Sequence, residues 1–266
     1  MSLTLGSGPF AAGTTAQRNF SLDAAPKHQI LFQPDPRRFR AIVADEVVVD
    51  TVGGHLLHES NIPPRLYVPL ADVRMDLFAK TATTTHCPFK GDASYWTLTV
   101  GDRTVEDVLW AYEDPLGDAP FLDGFGALYA DRVDEWLIEE DRVLGHFKDP
   151  FHRVDAHVSS RPVEVRANGE VVARSERPVL IFETGLPARA YLPPADVHPA
   201  AIRPGTGKRT ICPYKGEATY WTIAGLEDAA WSYESPLPDA LRAQGHIAFD
   251  ERVDGIEVNL GRNGDG

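Results

Sequence analysis

The chain has 266 residues, 43% of them hydrophobic, and a formal charge of −13 at pH 7. That length suits about two domains of ordinary size, each able to bury a core. An acidic balance with no run of Lys or Arg excludes a nucleic-acid backbone as partner, and no apolar stretch approaches the roughly 20 residues of a membrane-spanning helix.

In chain order, residues 1–27, with Gly6-Ser7-Gly8 and Ala11-Ala12-Gly13, read as an extended arm. The start at Met1 lacks the basic and apolar regions of a secretion signal, so the expected location is the cytoplasm. Phe39–Val43 and Val47–Val49 read as a hairpin around Ala44-Asp45-Glu46. Asp72 is placed to cap a helical turn over Val73–Phe78. Tyr95–Val100 alternates as a strand and turns at Gly101-Asp102 into a segment ending at Trp110-Ala111-Tyr112. Residues 141–157, rich in turn formers, read as a connector packed between domains. Val163–Arg166 and Val171-Val172 form a second hairpin about Asn168-Gly169, and Pro238–Gln244 a short helix before Gly245. Residues 261–266 are a tail. With 21 prolines and 22 glycines among short β-rich runs, the fold class is mainly β: compact antiparallel domains, each a small sheet or barrel with short helices.

The chain then repeats itself. Cys87-Pro88-Phe89-Lys90-Gly91-Asp92-Ala93-Ser94-Tyr95-Trp96-Thr97-Leu98 returns 125 residues later as Cys212-Pro213-Tyr214-Lys215-Gly216-Glu217-Ala218-Thr219-Tyr220-Trp221-Thr222-Ile223, with eight of twelve positions identical. Glu59, Arg65 and Tyr67 return 124 residues later as Glu183, Arg189 and Tyr191. Glu106-Asp107, Trp110-x-Tyr112 and Pro115-Leu116 match Glu227-Asp228, Trp231-x-Tyr233 and Pro236-Leu237. So long a period marks two whole domains, over 28–140 and 158–260, expected to be related by a pseudo-two-fold as an intramolecular pseudo-dimer.

The repeat selects the candidate site residues. Cys87 and Cys212, one per domain, are expected as free thiols. Lys90 or Lys215, three residues on, can activate such a thiol as a nucleophile; alternatively the Cys is a buried hydrophobe and the Lys is solvated. Tyr95 and Trp96, with Tyr220 and Trp221, face opposite ways along a strand, so one of each pair fills the core and the other lines a surface. Arg65 and Arg189 can fork onto a carboxylate or phosphate, or form a plain ion pair with Glu59 and Glu183. Tyr67 and Tyr191 complete that cluster.

Metal ligation common to both domains fails the test of the repeat, and a site in the first domain alone stays open. His86-Cys87 becomes Ile211-Cys212, His55 and His58 become Val179 and Phe182, and His198 stands where Arg74 does. Asp72 and Asp76 become Asp196 and Ala200. No phosphate loop, dinucleotide fingerprint or serine-nucleophile elbow occurs, and the sequence assigns no cofactor. Three functions stay open. One is a small anionic ligand held in one pocket per domain by Lys, Arg and aromatic residues. The others are an enzyme with a Lys-activated Cys nucleophile, and a structural or interaction module.

Taken together, Glu59 through Tyr67-Val68-Pro69-Leu70-Ala71-Asp72-Val73, the Cys-Pro-Phe-Lys-Gly-Asp-Ala-Ser-Tyr-Trp block and Trp110-Ala111-Tyr112-Glu113-Asp114-Pro115-Leu116 resemble the bacterial and fungal domain-of-unknown-function family 427. The resemblance covers both repeats. It implies small, mostly β domains and carries a nucleotidyltransferase-like label, for which the chain shows no Gly-Ser cradle with an Asp-x-Asp strand. One departure lies at Gly245-His246-Ile247-Ala248-Phe249, where the first copy has no His; a catalytic role for His246 would make only the second domain active.

Overall fold

Turn chemistry and strand alternation account for most of the architecture. The computed structural model describes residues 3–4, 10–11, 17, 26 and 28–261; the expected arm lies almost wholly outside them, as does the tail after Gly261. The chain forms two units, one ending at Asp149 and the next starting at Pro150. Among the described residues no helix is long and apolar enough to cross a membrane.

The first unit runs β1 (Ile30–Pro34), β2 (Phe39–Val43), β3 (Glu46–Thr51), β4 (His55–Glu59), β5 (Ile62–Pro69), β6 (Phe78–Cys87), β7 (Gly91–Val100), β8 (Arg103–Ala111), β9 (Phe125–Leu128), β10 (Glu135–Ile138) and β11 (Asp141–Arg142). A seven-stranded antiparallel sheet has the order β1-β4-β5-β9-β8-β7-β6, and a four-stranded sheet the order β11-β10-β2-β3. Both keep open edges, so the alternatives of sheet and barrel resolve to sheets, with no closed barrel among the described residues. The β2–β3 turn places Ala44 and Asp45 at φ of 48° and 61°, the twist that suits a tight hairpin.

The second unit runs β12 (Val154–Val158), β13 (Val163–Ala167), β14 (Glu170–Ser175), β15 (Val179–Glu183), β16 (Arg189–Tyr191), β17 (Ile202–Cys212), β18 (Gly216–Ile223), β19 (Leu226–Tyr233), β20 (Ala248–Phe249) and β21 (Ile256–Leu260). Its sheets are β12-β15-β16, β17-β18-β19-β20 and β14-β13-β21. A bridge between Leu192 and Ile247 links the first two, reproducing the larger sheet of the first unit. The stretch read as connector, 141–157, holds β11, which pairs with β10, and all of β12 but Val158; β12 pairs along β15.

Alternation divides each large sheet into two apolar faces. In the first unit Phe39, Val49, Leu56, Val68, Leu98, Leu109 and Trp136 build the main core between the two sheets. Burying one such side chain contributes roughly 1.5–3 kcal/mol. Leu57, Tyr67, Ala93, Tyr95, Tyr112 and Leu122 form a second cluster on the opposite face, with Cys87 packed against it. The second unit repeats this with Tyr191, Tyr214, Ala218 and Tyr233, against which Cys212 and Tyr220 pack.

Among the described residues the helical segments are only 3-10 turns. Leu70–Asp72 and Met75–Leu77 replace the expected turn over Val73–Phe78, since no apolar period continues a helix there. Asp72 caps nothing; its carboxylate accepts from Thr51 Oγ1 at 2.5 Å, and Asp196 accepts from Ser175 Oγ at 2.7 Å.

Candidate functional site

The site grows out of the turn between β6 and β7. Gly91 there has φ +105°, and a Cβ would lie 3.3 Å from the Asp114 carbonyl oxygen. Gly216 has φ +102° and the same 3.3 Å approach, to Ser235 O. Only glycine suits that combination of conformation and crowding. Leu116 N donates to Lys90 O at 3.0 Å and Leu237 N to Lys215 O at 3.0 Å, pinning the turn. The pinned turn sends its Lys inward. Lys90 and Lys215 are each only 8% exposed, so neither is solvated.

Each Lys meets the Glu that ends a strand distant in the sheet order, β4 in the first unit and β15 in the second. Lys90 Nζ donates to Glu59 Oε2 at 2.6 Å in the first unit, and Lys215 Nζ to Glu183 Oε1 in the second. A histidine joins each pair: His28 Nε2 is 3.1 Å from Glu59 Oε1, and His152 Nε2 is 3.7 Å from Glu183 Oε1. His28 stacks on Phe89 at 4.1 Å and 20°, and His152 lies against Tyr214 at 4.4 Å and 41°. The Lys90 ammonium also sits 5.6 Å from the centre of the Tyr112 ring. Burial opposes ionisation of Glu183, but contact with His152 and the Lys215 charge override it and hold the carboxyl down at about 2. Burial pushes the phenols of Tyr67, Tyr112, Tyr191 and Tyr233 up, so all four stay neutral.

The remaining sequence candidates divide between site and core. Cys87 and Cys212 are free, half-buried thiols on the site face. Tyr67 and Tyr191 are 1% exposed, and their hydroxyls accept from Trp110 Nε1 and Trp231 Nε1, each at 3.2 Å. Tyr95 and Tyr220 share hydrogen bonds with Thr85 at 2.8 Å and Thr210 at 3.0 Å. Trp96 and Trp221 face the other way, into or against the main cores, and line no site.

Arg65 and Arg189 do not pair with the glutamates. Arg65 lies opposite Leu57 in the β4–β5 register, while Glu59 pairs with Ile62 beyond a bulge. Arg65 is exposed. Arg189 binds Phe249 O at 2.9 Å and Glu251 at 3.2 Å instead. His246 contacts Gln244 O at 3.0 Å through Nδ1.

Sequence reasoning missed the histidines, although His28 and His152 stand 124 residues apart, the spacing of Glu59 and Glu183. Asp118 and Asp239, 121 residues apart, also recur unnoticed. In the first unit an open cavity of about 790 Å³ is lined by Pro26, His28, Gln29, Ile30, Phe89 and Asp118. Among the described residues no group of three His, Cys, Asp or Glu side chains has metal-ligating geometry.

The profile of one family, described as a domain of unknown function (DUF427), matches residues 31–139 and again 155–259. The chain belongs to the DUF427 family. It carries two tandem copies of the DUF427 domain; Glu59 with Lys90 and Glu183 with Lys215 lie inside the matched segments, and His28 and His152 stand three residues before them. No curated protein matches the chain.

Proposed function

We propose that each DUF427 domain of this protein binds a small molecule at its His–Glu–Lys trio. The observation that carries this reading is the trio itself. Removing an ion pair from water costs several kcal/mol per ion, and apolar side chains of the same volume commonly serve a fold as well. The two copies differ at four of twelve positions around the Lys, yet both keep the buried pair, the histidine and the aromatic ring against it. A cavity of about 790 Å³ opening at His28 and Phe89 is of the size that takes a small ligand.

The geometry changes which ligand is favoured. An anion drawn by Lys90 and Arg65 loses support, because Glu59 already balances the Lys90 charge and Arg65 lies apart, exposed. The trio offers hydrogen bonds without net charge while its imidazole is neutral. A second reading, thiol chemistry at Cys87 or Cys212, draws on their half-buried places on the same face. Rapid alkylation of the native protein near neutral pH would favour it.

The test is a thermal-shift screen of the intact protein against organic acids, amines and nucleotides, beside His28→Ala and His152→Ala. A ligand at 100 times its Kd adds about 2.7 kcal/mol of stability. The expected result is a rise in Tm that one His variant abolishes. Shifts unchanged in both variants would place binding elsewhere and overturn the reading.

A further inference from the structure

We infer that the first-domain site selects a planar organic cation, such as an amidinium, a guanidinium or a protonated heteroaromatic ring. This rests on the proposal that the trio marks a ligand site and adds the sign of charge and the shape of what enters.

The sign comes from the side chains that face the cavity. Among its described lining residues, Asp118 is the one carboxylate, and none is a Lys or an Arg. Behind the wall, Glu59 and Lys90 cancel each other. A net charge of −13 on the whole chain concentrates cations near the surface and depletes anions.

The shape comes from the ring at the mouth. Phe89 is an aromatic residue left 43% exposed. His28 covers one face of the ring in a near-parallel stack at 4.1 Å, and the exposed part of Phe89 is the platform offered to a ligand. The negative face of such a ring attracts a cation, most strongly where water is partly excluded. A planar cation stacked there can direct paired N–H donors at the Asp118 carboxylate. Asp118 rides on an anchored loop: Ala119, which follows it, is fully buried, and its N–H donates to Leu116 O at 2.8 Å.

The second domain supplies an internal contrast. Tyr214, at the Phe89 position, is 8% exposed, and Arg153 replaces Gln29. Arg153 itself pairs with Asp155 at 3.0 Å, so the contrast rests on the ring: buried Tyr214 offers no open platform, and the selection belongs to the first domain.

The experiment is calorimetric titration of the full chain with benzamidine, benzoate and benzyl alcohol, which share a ring and differ in charge. Benzamidine is expected to bind at one site, more tightly than benzyl alcohol, with benzoate weakest. Asp118→Asn and Phe89→Ala, both at exposed positions, should each weaken benzamidine roughly fivefold or more. Benzoate binding more tightly than benzamidine, and lost in His28→Ala, would overturn the charge selection while sparing the site. Benzamidine binding untouched by Asp118→Asn would do the same. Failure of all three probes at millimolar concentration would overturn this inference, and binding indifferent to His28→Ala would overturn the site as well.

Discussion

The two domains keep the same interior and differ at the rim. Each holds a buried Lys on a glycine-locked turn, a Glu at a strand end and a His against an aromatic ring. Around that centre Phe89 is exposed where Tyr214 is buried, and Gln29 becomes Arg153. On β4, His58 is fully buried 3.8 Å from Asp149, whereas its counterpart Phe182 is 38% exposed. A constant polar centre with a variable rim is what two sites of one chemistry and different selectivity would look like. If the trio existed for packing, the surrounding core would be expected to vary less than the costly ion pair.

The comparison breaks most sharply at the Lys. Lys90→Met leaves Glu59 buried without its cation and should destabilise the first domain by about 3–5 kcal/mol. Lys215→Met should do the same to the second, and urea unfolding of each variant reads both. A loss in one domain only would mean that the centres are not equivalent. Next comes the turn. Gly91→Ala and Gly216→Ala force a side chain into positive φ against a carbonyl oxygen 3.3 Å away, and each should cost about 1–3 kcal/mol. Gly101→Ala, with nothing within 4 Å of its Cβ, should cost less, which thermal unfolding of the three variants can rank.

The acid limb sharpens the contrast further. Glu183 falls from the ordinary 4.5 to about 2 in the folded protein. Its contribution is present above the unfolded value and is lost as pH drops from about 4.5 towards 2. Wild type minus Glu183→Gln, followed by urea unfolding, should therefore shrink across that window and stay flat above it. The smallest effect lies at His58. Burial holds its pKa below the ordinary 6.5, against the opposing pull of Asp149. Protonation is then favoured in the unfolded chain, so stability falls as pH drops below 6.5. His58→Phe, which installs the residue of the second domain, should remove that pH dependence, as urea unfolding at pH 7 and pH 5 would read.

Local chemistry was legible in the sequence, and non-local pairing was not. Ala44-Asp45 and Asn168-Gly169 announce their hairpins because a tight turn needs positive φ within a few residues. Alternation required Tyr95 and Trp96 to face opposite sides, but two aromatics cannot declare which side is the core. The open sheets depend on pairings such as Val68 with Gly126, which no local pattern encodes. In the site, Glu59 and Lys90 were both visible as repeated residues. Their partnership was not, since 31 residues separate them and Arg65 lay nearer in sequence. His28 and His152 carried the repeat spacing, but one stood at the edge of the first repeat and the other in a segment read as connector.

The central claim is that the buried trio serves a ligand and not the fold. Equilibrium unfolding of Glu59→Leu/Lys90→Met tests it most directly, because that variant removes both charges and leaves apolar groups of similar volume. The account predicts stability within about 1 kcal/mol of wild type, in contrast to Lys90→Met alone. A double variant as unstable as the single one would mean that the fold needs the ion pair, and would contradict the claim.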